Sequence, residues 1–144
     1  MSRLKVYTAS KLSEAPLWRA LADDWKEIEI VARWPFIHVT GSGLPSWPGD
    51  CAAHGAVFWQ HDHDDVARCD VVLVYGKGDG TLRGALVEAG MGIALGKYVI
   101  VVGSDPSYGT WQFHPSVARV RTLDEARSLM RLKAGPFARS EDNG

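Results

Sequence analysis

The chain has 144 residues, 46% hydrophobic and 23% charged, with 16 Lys and Arg set against 17 Asp and Glu. That length suits one domain with a core of its own. The near-zero net charge argues against a duplex nucleic-acid partner, which needs a basic surface to neutralise phosphates. No apolar run approaches the ~18 residues of a membrane span, so no membrane partner is expected.

Ser2 and Arg3 lead directly into a strand-like run, Leu4 to Ala9, with no signal-peptide core before it. Two cysteines, Cys51 and Cys69, form neither a disulfide framework nor a CxxC motif. The expected setting is therefore reducing and cytoplasmic. Ser13 is placed to cap a helix opening near Glu14, with Leu17, Trp18, Leu21 and Trp25 at helical spacing. Glu27 to Val31 alternates polar and apolar residues, the pattern of a second strand. From Arg33 to Gly55 prolines and glycines recur, and the segment reads as a long connection of turn chemistry. Loops of that length in a domain are usually functional or disordered.

A helix is predicted from about Ala56 to Arg68. Asp70-Val-Val-Leu-Val-Tyr75 is nearly continuous in apolar residues, as in a strand covered on both faces. The glycine-rich turn Gly76 to Thr81 leads into a helix over Leu82 to Leu95, and Tyr98 to Gly103 is another buried strand. Ser104 to Pro115 is an aromatic-bearing loop, Ala118 to Arg121 a short strand, and Thr122-Leu-Asp-Glu125 a capping box that opens a last helix, to about Leu132. The domain is placed at residues 1–139, with Ser140 to Gly144 as a frayed tail.

Strands alternating with helices predict a single-domain α/β sandwich, flavodoxin-like or Rossmann-like, with a parallel sheet of about five strands. Ligands bind such sheets beyond the carboxyl ends of the strands. The loops after Tyr7, Ala32, Tyr75 and Gly103 should line the site.

Glu88 stands out because it interrupts an apolar helix. On helical spacing it shares a face with Gly84, Ala85, Met91 and Gly92, so its carboxylate either reaches water at the helix edge or is buried with a partner and a displaced pKa. The glycine turn before it lacks both GxGxxG spacing and a GKS/T ending, so it is neither a Rossmann fingerprint nor a P-loop. Trp34, Phe36 and Trp47 are candidates either to stack on a base or to tether the long loop. His54, His61 and His63, with Asp62, Asp64 and Asp65, lack any recognised metal-ligand spacing. An acidic helix start favoured by the dipole accounts for the aspartates more simply. No metal or cofactor is predicted.

These pieces resemble, in their order and spacing, the nucleoside 2-deoxyribosyltransferases and their nucleotide N-glycosidase relatives. The matching elements are Val6-Tyr7 at the end of the first strand, Trp59-Gln-His-Asp62 ahead of Asp70, Glu88-Ala-Gly90, and Gly96-Lys-Tyr-Val99. The resemblance covers roughly Leu4 to Val102. It implies an enzyme that cleaves or exchanges the N-glycosidic bond of a nucleoside or nucleotide. Glu88 would be the nucleophile, Tyr7 would orient it, and Asp62 would meet the nucleobase. Asp79, Gly84, Trp34, Trp59 and Met91 would contact substrate. It also implies a homo-oligomer, dimer or larger. One position departs: where the family has an acid six residues before the glutamate, this chain has Leu82, and the nearest acid is Asp79 on the glycine turn. That substitution favours an alternative reading, a nucleotide-binding sensor without turnover. Arg33 or Arg83 would provide the counter-charge if the ligand carries a 5′-phosphate.

Overall fold

The computed structural model describes residues 3–37, 49–77 and 82–142, and the side chains within 3–37, 55–77 and 82–133. Asp79 and Trp47, both singled out above, lie outside the described residues.

Five strands form one parallel sheet: β1 (Leu4–Ala9), β2 (Ile28–Ile30), β3 (Val71–Tyr75), β4 (Tyr98–Val102) and β5 (Val117–Val120), in the order β2-β1-β3-β4-β5. This is the doubly wound, flavodoxin-like order, in which the chain reverses direction across the sheet between β1 and β3. Every pairing is parallel, with Tyr7 opposite Val72 and Val72 opposite Val99. The helices are α1 (Ala15–Asp24), α2 (Trp34–Ile37), α3 (Gly49–Arg68), α4 (Gly84–Ala94) and α5 (Leu123–Asp142). Among the described residues no helix is long and apolar enough to cross a membrane.

Strand alternation sorts these helices onto two faces. Tyr7 and Val72 look toward α4: the Tyr7 hydroxyl meets Glu88, and Val72 lies under Gly92. A Cβ at Gly92 would come within 2.7 Å of Val72 Cγ2, so glycine there lets α4 press directly onto β3. Tyr75 is three residues from Val72 and points to the other face, where its ring meets Trp18 of α1 edge-on. All five residues of β3 except Tyr75 are buried, as are all of β1 except Lys5, because both faces are covered.

Two boundaries differ from the sequence reading. The helix expected from Ala56 begins at Gly49, and a short turn of helix, α2, forms at Trp34–Ile37. Much of the supposed long connection is therefore helical. Gly55 misled the expectation: glycine costs a helix interior only about 1 kcal/mol, which the packing of a 20-residue helix overrides. At the other end α5 runs past Leu132 to Asp142, through Pro136; a proline inside a helix removes a hydrogen bond but does not always end it. Thr122 does cap α5, its Oγ1 accepting from the Glu125 amide at 3.1 Å, while the Glu125 carboxylate reaches back to the Arg121 amide at 3.3 Å.

Candidate active site

The carboxyl ends of β1 and β3 open into a pocket of about 420 Å³. Its inner wall carries two acids. Glu88 lies one turn into α4 and is only 5% exposed; Asp62, on α3, is 2% exposed. Aromatic walls come from Trp34 after β2 and from Phe58 and Trp59 on α3. Ser10, Lys11 and Leu12, following β1, and Arg83 and Gly84, at the start of α4, complete it.

Tyr7 projects from the middle of β1 and is fully buried, and its hydroxyl donates to Glu88 Oε2. That is the one hydrogen bond of Glu88 among the described residues. Burial pushes the Glu88 carboxyl up to about 8, since desolvation disfavours the charged form. Asp62 is pushed up to about 7 by the same desolvation and by the negative charge of Asp65, with Arg33 pulling the other way. Its Oδ2 has no hydrogen-bond partner among the described residues. An unmatched buried polar atom in a pocket wall is placed to meet a polar group of a ligand.

The walls are held by hydrogen bonds that fold the chain locally. Trp34 donates its indole N–H to the Thr8 carbonyl at 2.7 Å, clamping the start of α2 against β1. Trp18 donates to Ser10 Oγ at 2.8 Å and fixes the turn after β1. Lys77, just beyond β3, pairs with Glu14 at 3.0 Å and ties that segment to the turn before α1. Beneath Asp62, the fully buried Asp65 receives the Arg33 amide at 2.9 Å, the Arg33 Nε at 3.0 and 3.2 Å, and an Arg68 nitrogen at 2.7 Å.

Of the expected site residues, Glu88, Tyr7, Asp62, Gly84, Trp34 and Trp59 come together, Tyr7 through its bond to Glu88. Met91 does not line the pocket; it is half-buried against the hydrophobic core, because three residues of helix beyond Glu88 carry it away from the strand ends. The loop after β4 is also absent from the lining, and His114 there is exposed and bonded to Ser116. Arg33 is engaged by Asp65 and does not line the pocket, whereas Arg83 does. Leu82, at the position of the family's acid, is buried and packs into the core.

The aspartates of α3 also need a different account. Because α3 starts at Gly49, Asp62 and Asp65 lie in its C-terminal half, where the helix dipole disfavours negative charge. Their burial, rather than the dipole, is what defines them. Among the described residues no group of three or more His, Cys, Asp or Glu is arranged to hold a metal ion. Ser10, Lys11 and Leu12 come from the loop after β1 that the topology marked, though none was singled out by residue, and Phe58 was not anticipated.

No protein-family model matches the chain, and neither does any curated protein. Among solved structures it is similar to the Clostridium botulinum CMP N-glycosidase BcmB, with 18% identity and a TM-score of 0.49 over 90% of this chain and 98% of that one. A likeness at that level does not assign an activity, which has to come from the side chains of the site.

Proposed function

We propose that this protein is an enzyme that cleaves the N-glycosidic bond of a nucleoside or its 5′-monophosphate, with Glu88 as nucleophile. The observation that carries the reading is a buried carboxylate, held by a tyrosine hydroxyl, in the same pocket as a second buried acid. A pair of carboxyl groups is what displacement at an anomeric carbon requires: one to form the new bond, one to move the proton.

The steps balance as follows. Ionised Glu88 attacks C1′ as the bond from C1′ to the base nitrogen breaks, giving a glycosyl ester. The departing base takes the proton from Asp62. Water then attacks C1′, the ester bond breaks, and the proton released by water returns to Asp62. A second free base in place of water gives exchange. Trp34, Phe58 and Trp59 provide faces on which a base stacks, worth about 1–3 kcal/mol per base.

The pocket is polarised, with acids inside and the exposed Lys11 and Arg83 at its rim. Gly84 opens α4, where Leu86 donates its amide to the Arg83 carbonyl at 3.0 Å, and the earliest amides of a helix lack intrahelical acceptors and favour an anion. From Gly84 to Glu88 the helix rises ~6 Å, of the same order as the distance from C1′ to the 5′-phosphorus of a nucleotide. This favours the monophosphate.

Incubation with deoxynucleosides and deoxynucleoside monophosphates, with chromatography for free base, tests the proposal. Base release that disappears in Glu88→Ala supports it. Leu82, buried where an acid would assist the base, favours the second reading, a sensor; binding of nucleotide without base release would decide for that.

A further inference from the structure

Asp65 is fully buried, does not line the pocket, and sits one helical turn beyond Asp62 on α3. It is fixed from three directions: by the Arg33 amide, by the Arg33 guanidinium, and by Arg68. Residues three apart on a helix have Cβ atoms about 5–6 Å from each other. The Asp65–Arg33 pair is therefore a rigid arrangement of one negative and one positive charge directly behind an acid that faces the pocket.

We propose that the Asp65–Arg33 pair is the positioning element of this site, setting how tightly Asp62 holds the proton that it delivers to the leaving base. The proposal rests on the role given to Asp62 above. Asp65 acts by charge: near Asp62 in a dry wall, its carboxylate keeps the neighbouring acid protonated. Arg33 opposes it and prevents Asp62 from becoming too weak an acid to donate. Both influences act on Asp62 in those directions. The other charged groups facing Asp62 are Glu88 of α4 and, at the rim, Arg83 and Lys11. On its own helix the His63 and Asp64 side chains are 60% and 66% exposed and turn outward.

The test is the titration of the Asp62 carboxyl carbon by NMR in the intact protein, alongside Asp65→Asn and Arg33→Ala. Removing the negative charge lowers the Asp62 midpoint, by about one pH unit or more for unit charges at this spacing, and removing the positive charge raises it. Because the Asp62 midpoint lies below that of Glu88, the acid limb of base release moves with it in each variant. Arg33→Ala is the decisive case. A merely structural tether, once cut, lets water reach Asp62 and lowers its midpoint, so a rise is not expected from loosening. It also carries the test if Asp65→Asn fails to fold. A midpoint in Arg33→Ala that stays put or falls overturns the proposal, even if the wild type releases base. Opposed midpoints in a protein that releases no base support the charge relationship and remove the glycosidase reading instead.

Discussion

Replacing Glu88 with glutamine should abolish base release and at the same time stabilise the protein at pH 8. In the folded state the Glu88 carboxyl titrates near 8, against 4.5 for the free side chain. Between those values the unfolded chain has lost a proton that the native state keeps. Native stability from this group is therefore complete below about pH 4.5 and falls as pH rises to about 8. A separation of that size corresponds to roughly 5 kcal/mol once the pH is above both values. Glutamine carries no titratable proton and can still accept from Tyr7, but its buried amide group brings a penalty of about 1–3 kcal/mol. The net gain at pH 8 is about 2–3 kcal/mol, or roughly 6–12 °C in Tm for a domain of this size. At pH 5 the wild-type carboxyl is almost fully protonated, and Glu88→Gln should be no more stable than wild type. Urea unfolding of both proteins at pH 5 and pH 8 measures the difference. A stability increment that is the same at both pH values, or a variant less stable at pH 8, refutes the view that Glu88 is held dry.

Tyr7→Phe removes the one described hydrogen bond of Glu88; it should lower kcat for base release about 100-fold, in the range of a lost oriented hydrogen bond, and shift the alkaline limb of the pH profile to higher pH, since Glu88 holds the higher of the two midpoints. For the wild type, kcat/KM should follow a bell whose maximum lies between the Asp62 and Glu88 values of about 7 and about 8, because ionised Glu88 and protonated Asp62 are needed together; a plateau extending above pH 9 would show that Asp62 donates no proton. Gly92→Ala places a methyl group against Val72 and Val99 and should cost about 1–3 kcal/mol by overpacking, read as a lower urea midpoint. Cys69 is buried with its thiol pushed up to about 12, so mass spectrometry after maleimide treatment of the native protein should find its peptide unmodified until denaturant is added.

How much of this was legible in the sequence depends on the distance over which each feature is specified. The buried strands β3 and β4 could be read directly, since a strand covered on both faces must be apolar at nearly every position. Their alternation with helices predicted the parallel sheet, and the sheet predicted at which edge a pocket opens. The start of α3 could not be read locally, because Gly49 and Gly55 are turn residues by propensity and are helical here through packing. Glu88 was conspicuous as a charge in an apolar helix, but its partner is 81 residues away, and only the family resemblance put Tyr7 beside it. Asp65 was hidden for the converse reason. In a run of alternating His and Asp it looked like part of a solvated acidic turn, and nothing short of the fold shows that it points inward to Arg33.

The two buried acids titrate over the same pH range, so near neutral pH the pocket tends to hold one proton between Glu88 and Asp62. Desolvation alone does not decide which carboxyl is ionised, since it raises both. With Glu88 at about 8 and Asp62 at about 7, a single proton rests mainly on Glu88, so ionised Glu88 beside protonated Asp62 is the minor arrangement. Tyr7, donating to Glu88, and Asp65, behind Asp62, both act toward that minor arrangement, the one that chemistry at an anomeric carbon needs. Neither acid gains stability from its position, and both weaken the fold as pH rises toward neutrality. A chain selected for stability alone would put glutamine and asparagine at these positions, so the stability cost itself argues that the pair is there to act.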